Sequence, residues 1–125
     1  MTPAVCCAVA ALVTAVIDGD TIAVAAHAWP GIEAVGLVRL LGIDTPELHG
    51  HCEAETAAAQ AARAAARELV PPGAVVTLSQ VGTDKYGRIL ARVILADGRD
   101  LSAALLAQGH GRPYDGGKRG GWCEE

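Results

Sequence analysis

The stretch EAETAAAQAARAAAREL, residues Glu53 to Leu69, decides the fold by where it falls in the chain. It is mostly Ala, the residue with the highest helix propensity. Glu53, Thr56, Gln60, Arg63 and Arg67 recur at steps of three and four, which makes one polar stripe on an otherwise Ala-rich helix. That Ala surface lets the helix lie close against a sheet or barrel. Arg63 and Arg67 stand toward the C-terminal end, where the helix dipole favours cations. Pro71-Pro72-Gly73 ends the run.

Three apolar segments precede this helix. Ala8 to Ile17 is rich in small and β-branched residues, Thr21 to Ala28 reads as a returning strand, and Ala34 to Ile43 places Val35, Leu37, Arg39 and Leu41 at period two. Asp18-Gly19-Asp20 and Trp29-Pro30-Gly31 are the turns between them. After the helix, Ala74 to Val81 and Arg88 to Ala96 read as two strands joined by the polar loop Gly82 to Gly87. Asp97-Gly98 is a tight turn, and Asp100 is the expected N-cap of a short helix, Leu101 to Gln108, with Gly109 at its C′ position. Five short strands interrupted by a helix after the third suit a β-barrel with helices (α+β) of the five-stranded OB type. The elements do not alternate strand and helix, which argues against a parallel Rossmann-like sheet.

The 125 residues suit a single domain spanning 1–125, with a core over about 8–109 and a Gly-rich tail, 110–125, expected as loop. With 51% hydrophobic and 19% charged residues the chain should fold rather than stay disordered. Phe is absent and the only aromatics are Trp29, Tyr86, Tyr114 and Trp122, so the core must come from Val, Leu, Ile and Ala. A formal charge of −4 argues against gripping nucleic acid by bulk positive charge, but it leaves room for a small basic cleft. The first 17 residues carry no charged side chain. They lack a basic start, contain Pro3 and run into Asp18 and Asp20, and their second half reads as a strand. Neither a signal peptide nor a membrane span is expected from them. The compartment stays open.

Three polar clusters interrupt the apolar strands: Asp18-Gly19-Asp20-Thr21, Arg39 with Asp44-Thr45-Pro46-Glu47, and Asp84-Lys85-Tyr86-Gly87-Arg88. Singly they read as a hairpin turn, a strand exit and a solvated loop. Arg39 is harder to dismiss, because its neighbours at period two, Leu37 and Leu41, are apolar and a charge there wants a partner. Together the clusters supply what metal-assisted phosphodiester hydrolysis requires. Asp20 and Asp44 are hard oxygen ligands suited to Ca²⁺ or Mg²⁺. Arg39 and Arg88 are planar forks for phosphate oxygens. Glu47 is a carboxylate able to take a proton from water.

In VIDGDTIAV (Val16–Val24), VRLLGIDTPEL (Val38–Leu48), DKYGRILARVILADGRDL (Asp84–Leu101) and ALLAQG (Ala104–Gly109) the chain resembles the staphylococcal nuclease (thermonuclease) family. The resemblance runs from about Val13 to Gly109, and the tail RPYDGGKRGGWC, from Arg112, looks like that of compact bacterial members. It implies an OB-type barrel with helices and a hydrolase: a Ca²⁺-dependent endonuclease that cleaves the P–O5′ bond of DNA and RNA and leaves 3′-phosphate ends. It further implies that Asp20 and Asp44 bind the metal by carboxylate and Thr45 by its backbone carbonyl. Arg39 and Arg88 match the phosphate-binding arginines, Glu47 the general base, and Asp18 an acidic residue beside the metal. Tyr86 and Tyr114 are candidate substrate contacts. Unpaired bases, in single-stranded DNA or RNA, are the preferred substrate of so small a cleft. A monomer is expected, and family members are often exported. The chain departs from the best-known members in being acidic and in its short loop after Leu48. A catalytically silent OB-type module that binds nucleic acid or protein is the alternative, and the intact set of arginines and carboxylates favours the enzyme.

The four cysteines, Cys6, Cys7, Cys52 and Cys123, contain no C-x-x-C pair. His49, His51 and Cys52 lie close together, and a zinc site with Cys123 is an open alternative, although no standard zinc spacing is present. Two free thiols are a second alternative. Compact members of the resembled family carry cysteines at both positions without the histidines, which favours a Cys52–Cys123 disulfide. No bond is expected between Cys6 and Cys7.

Overall fold

The computed structural model describes residues 8–84, 86–115 and 121–123, and of Ala28 and Trp29 the backbone alone. Cys6, Cys7, Lys85 and Lys118 lie outside the described residues. Three strands, β1 (Val9–Asp18), β2 (Thr21–Trp29) and β3 (Ile32–Leu40), form an antiparallel meander. A two-residue strand, β4 (Ile43–Asp44), follows, and then helix α1 (Glu53–Leu69). An antiparallel pair, β5 (Val75–Thr83) and β6 (Ile89–Ile94), precedes helix α2 (Leu101–Ala107) and the short β7 (Arg112–Pro113).

The larger sheet closes on itself in the order β1-β2-β3-β6-β5. Closure uses the antiparallel pairing of β1 with β5 and the parallel pairing of β3 with β6. The result is a closed five-stranded mixed barrel with two helices, an OB-type α+β fold. Alternation along the strands sends Val13, Val16, Ile22, Val24, Val38 and Leu40 inward, where they meet Val76, Leu78 and Val93 from the other side. α1 buries Ala59, Ala62 and Ala66 on one face, and α2 adds Leu101 and Leu105. A methyl-sized helix face permits close approach, and a Cβ built on Gly19 in the β1–β2 turn would stand 2.8 Å from Ala62 Cβ.

Several expectations are corrected. The third strand does not run unbroken to Ile43: it stops at Leu40, and after the turn at Leu41-Gly42 the chain resumes as β4. The tail is not all loop, because Arg112 and Pro113 pair with Asp44 and Ile43. Asp100 stands at the N-cap position of α2 but makes no capping hydrogen bond with its side chain. Its carboxylate instead accepts from the Arg92 guanidinium at 2.7 Å, a charged donor that outcompetes a backbone N–H. Leu37 is more than half exposed, so the apolar neighbour of Arg39 along β3 faces solvent, whereas the Arg39 side chain is 11% exposed.

Candidate active site

The β1–β2 turn delivers Asp20 to one end of the barrel. Its backbone carbonyl accepts from the Leu40 N–H at 2.8 Å, which ties the turn to the end of β3. Register opposite Thr21 places Arg39 beside it. The Asp20 carboxylate, almost fully buried, accepts from the Thr21 hydroxyl at 3.1 Å and from the Thr45 N–H at 3.2 Å. One Arg39 nitrogen lies 2.6 Å from Asp20 Oδ2, an ion contact without hydrogen-bond geometry, and the other is 3.9 Å from Asp44 Oδ1. Asp44, 2% exposed, has a second guanidinium, Arg112, at 3.9 Å. β4 therefore brings Asp44 and Thr45 against Asp20, and Arg39 lies between the two carboxylates.

Asp18, Asp20, Arg39, Thr45, Glu47 and Arg88 line a single cleft of about 340 Å³. Asp44 does not line it; it reaches the cleft's residues through Arg39. Arg88 reaches the cleft from the loop before β6, with its side chain 59% exposed. Asp84 shapes that loop: its carboxylate accepts from the backbone N–H of Tyr86 and Arg88 and from Arg88 Nε at 2.6 Å. Tyr86 stands against the Arg88 guanidinium at 5.6 Å, and Tyr114 against that of Arg39 at the same distance. Each tyrosine is thus a neighbour of one cleft arginine.

Carboxylates outnumber cations in the cleft. Burial pushes the Asp18 carboxyl above its ordinary value, Asp20 and Glu47 add repulsion, and Arg63 and His49 oppose it. Asp20 and Asp44 are buried carboxylates that share one guanidinium, and Asp18 and Glu47 line the same cleft as Asp20. Their oxygens are hard donors of the type a divalent cation takes, but among the described residues no three of these carboxylates stand within one ion's reach.

The structure joins Cys52 and Cys123 by a disulfide with a Cα–Cα distance of 6.1 Å. The one metal-sized cluster among the described residues consists of those cysteines and Glu55, and neither histidine belongs to it. Sulfurs paired in a disulfide are not thiolate ligands, which removes the zinc alternative in this state. Two residues near the site were missed in the sequence. Glu55 is buried on the Ala face of α1, and its signal was legible: it steps with Ala59 and Ala62, off the polar stripe. Arg112 stacks on Trp122 at 3.6 Å and faces Asp44, and nothing in its local sequence announces that.

A family model described as staphylococcal nuclease homologue matches residues 37–119. That span includes Arg39, Asp44, Thr45, Glu47 and Arg88, whereas Asp18 and Asp20 precede it. No curated protein matches the chain.

Proposed function

The chain belongs to the staphylococcal nuclease homologues, and we propose that it is a Ca²⁺-dependent nuclease that hydrolyses DNA and RNA and leaves 3′-phosphate ends. The observation that carries this reading is the convergence of Asp20, Arg39, Glu47 and Arg88 on one cleft, with Asp44 buried behind Arg39. Asp20 and Asp44 would hold the metal by carboxylate and Thr45 by its backbone carbonyl. The chemistry supplied by a bound Ca²⁺ is neutralisation of phosphate charge and acidification of water.

The protein's own residues do the rest. Arg39 and Arg88, which line the same cleft, present guanidinium forks to the scissile phosphate and stabilise charge that builds on its oxygens. Asp84 and Tyr86 keep the Arg88 side chain oriented although it is exposed. The Glu47 carboxylate accepts the proton of the attacking water, phosphorus gains a bond to that oxygen, and the P–O5′ bond breaks with its electron pair going to O5′, which takes a proton from solvent and leaves as the 5′-hydroxyl. Tyr86 and Tyr114 offer ring faces on which unpaired bases stack, so single-stranded substrates are preferred. Among the described residues no helix is long and apolar enough to cross a membrane.

The test is hydrolysis of single-stranded DNA by pure protein, with Ca²⁺ and with chelator. Cleavage should need Ca²⁺ and stop with chelator. Full activity in chelator would refute the metal dependence.

A further inference from the structure

Glu55 is a charge on the buried face of α1. Its neighbours at helical spacing, Ala59, Ala62 and Ala66, pack inward, and Glu55 itself is 4% exposed. A carboxylate in such a place must be held by donors. Two of them are backbone N–H groups of the loop that joins Glu47 to α1: Glu47 N–H donates to Oε2 at 3.3 Å and His51 N–H to Oε1 at 2.9 Å. The loop lies so close that a Cβ on Gly50 would stand 2.6 Å from Glu55 Cδ. Cys123 Sγ is 3.7 Å from the same Oε1, and Cys123 is bonded to Cys52, the N-cap residue of α1. One buried carboxylate thus joins the backbone of Glu47, the first turn of α1 and the disulfide.

We propose that Glu55 is a positioning residue for Glu47: it pins the backbone from which the Glu47 carboxylate reaches the cleft. This rests on the reading of Glu47 as proton acceptor. A proton acceptor works only within hydrogen-bond reach of its water, and a long side chain on a free loop would spread over many positions. A hydrogen bond to the N–H of Glu47 itself removes the backbone share of that spread. The second bond, at His51, closes the far end of the same loop.

Glu55→Gln keeps the side chain's size but leaves one carbonyl oxygen for two N–H groups. Gly50→Ala crowds the same carboxylate from the loop side without altering it, and serves if Glu55→Gln fails to fold. The full disulfide-bonded chain is measured by amide hydrogen exchange and by kinetics on single-stranded DNA, in the native and in the Glu47→Gln background. In both variants the Glu47 and His51 amides should exchange at least about tenfold faster while β1 and β2 amides stay protected. kcat should fall about ten- to a hundred-fold, with KM and the Ca²⁺ requirement unchanged. In the Glu47→Gln background the same substitution should cost little more, because it acts through Glu47. Unchanged exchange, unchanged kcat, or an equal loss in both backgrounds would overturn the proposal. An inactive parent protein with protected loop amides counts against the nuclease reading, whereas an active parent with unprotected amides counts against Glu55.

Discussion

Arg39 and Arg88 face one cleft but are held in opposite ways. Arg39 is mostly buried and paired with Asp20, whereas Arg88 is exposed and kept in place by Asp84 and Tyr86. Arg39→Ala and Arg88→Ala should each lower kcat by about two to four orders of magnitude, as loss of a transition-state donor does. Glu47→Gln should fall in a similar range while Ca²⁺ binding survives. On the proposed reading that both arginines act on one phosphate, the double arginine variant should lose less than the product of the single losses. Near-parental turnover in any single variant would remove that residue's role. Asp84 makes a pH prediction. Desolvation would raise its carboxyl, but hydrogen bonds from the Arg88 backbone and guanidinium and the Tyr86 backbone outweigh it and hold it below 3.8. A depressed folded-state value means that the clip contributes above the ordinary carboxylate range and is lost as pH falls from 3.8 through the native value. A carboxyl NMR titration of Asp84 should show a midpoint below 3.8. A midpoint at or above it would mean that Arg88 is not held this way.

At the scale of elements, α1 is placed by its lack of bulk. The Ala face lets the helix meet the β1–β2 turn at Gly19, where a Cβ would also stand 3.1 Å from Thr45. Gly19→Ala should therefore push α1 and β4 away from the turn that carries Asp20. The expected cost is about 1 to 3 kcal/mol, as for overpacking elsewhere. Ala62→Gly in the Gly19→Ala background should recover part of it, despite the lower helix propensity of Gly. Urea unfolding of the single and double variants reads both effects, and no recovery would place the strain elsewhere.

On the scale of the whole molecule, the tail closes the structure. Cys123 is bonded to the start of α1 across 71 residues, Arg112 pairs in register with Asp44, and the Tyr114 N–H donates to the Gly42 carbonyl at 3.1 Å. A loop of that length stabilises by about 4 kcal/mol in the chain-entropy account, a large part of the stability of a small domain. Reductant should therefore lower the urea midpoint sharply, and Cys52→Ala and Cys123→Ala should reproduce the shift without it. An unchanged midpoint would mean that the bond adds nothing to stability.

What the sequence determined by itself is what nearest neighbours dictate. Ala-rich spacing set α1 to the residue, period-two patterning and Gly/Pro turns located the strands within a few positions, and the order of elements was enough for an OB-type barrel. The motifs also carried the resemblance on which the family was expected. The rest depended on contacts between residues far apart in the chain. One neighbour of Asp44, Arg112, sits in the tail, β4 after the break at Leu40 pairs with β7, and Asp100 gives up its cap for Arg92 on another element. Glu55 stood on the wrong face of its own helix, but its purpose becomes visible only when the loop after Glu47 folds back onto it. Local propensity is a property of a few consecutive residues, whereas the satisfaction of a buried charge depends on whatever donors the closed chain brings to it.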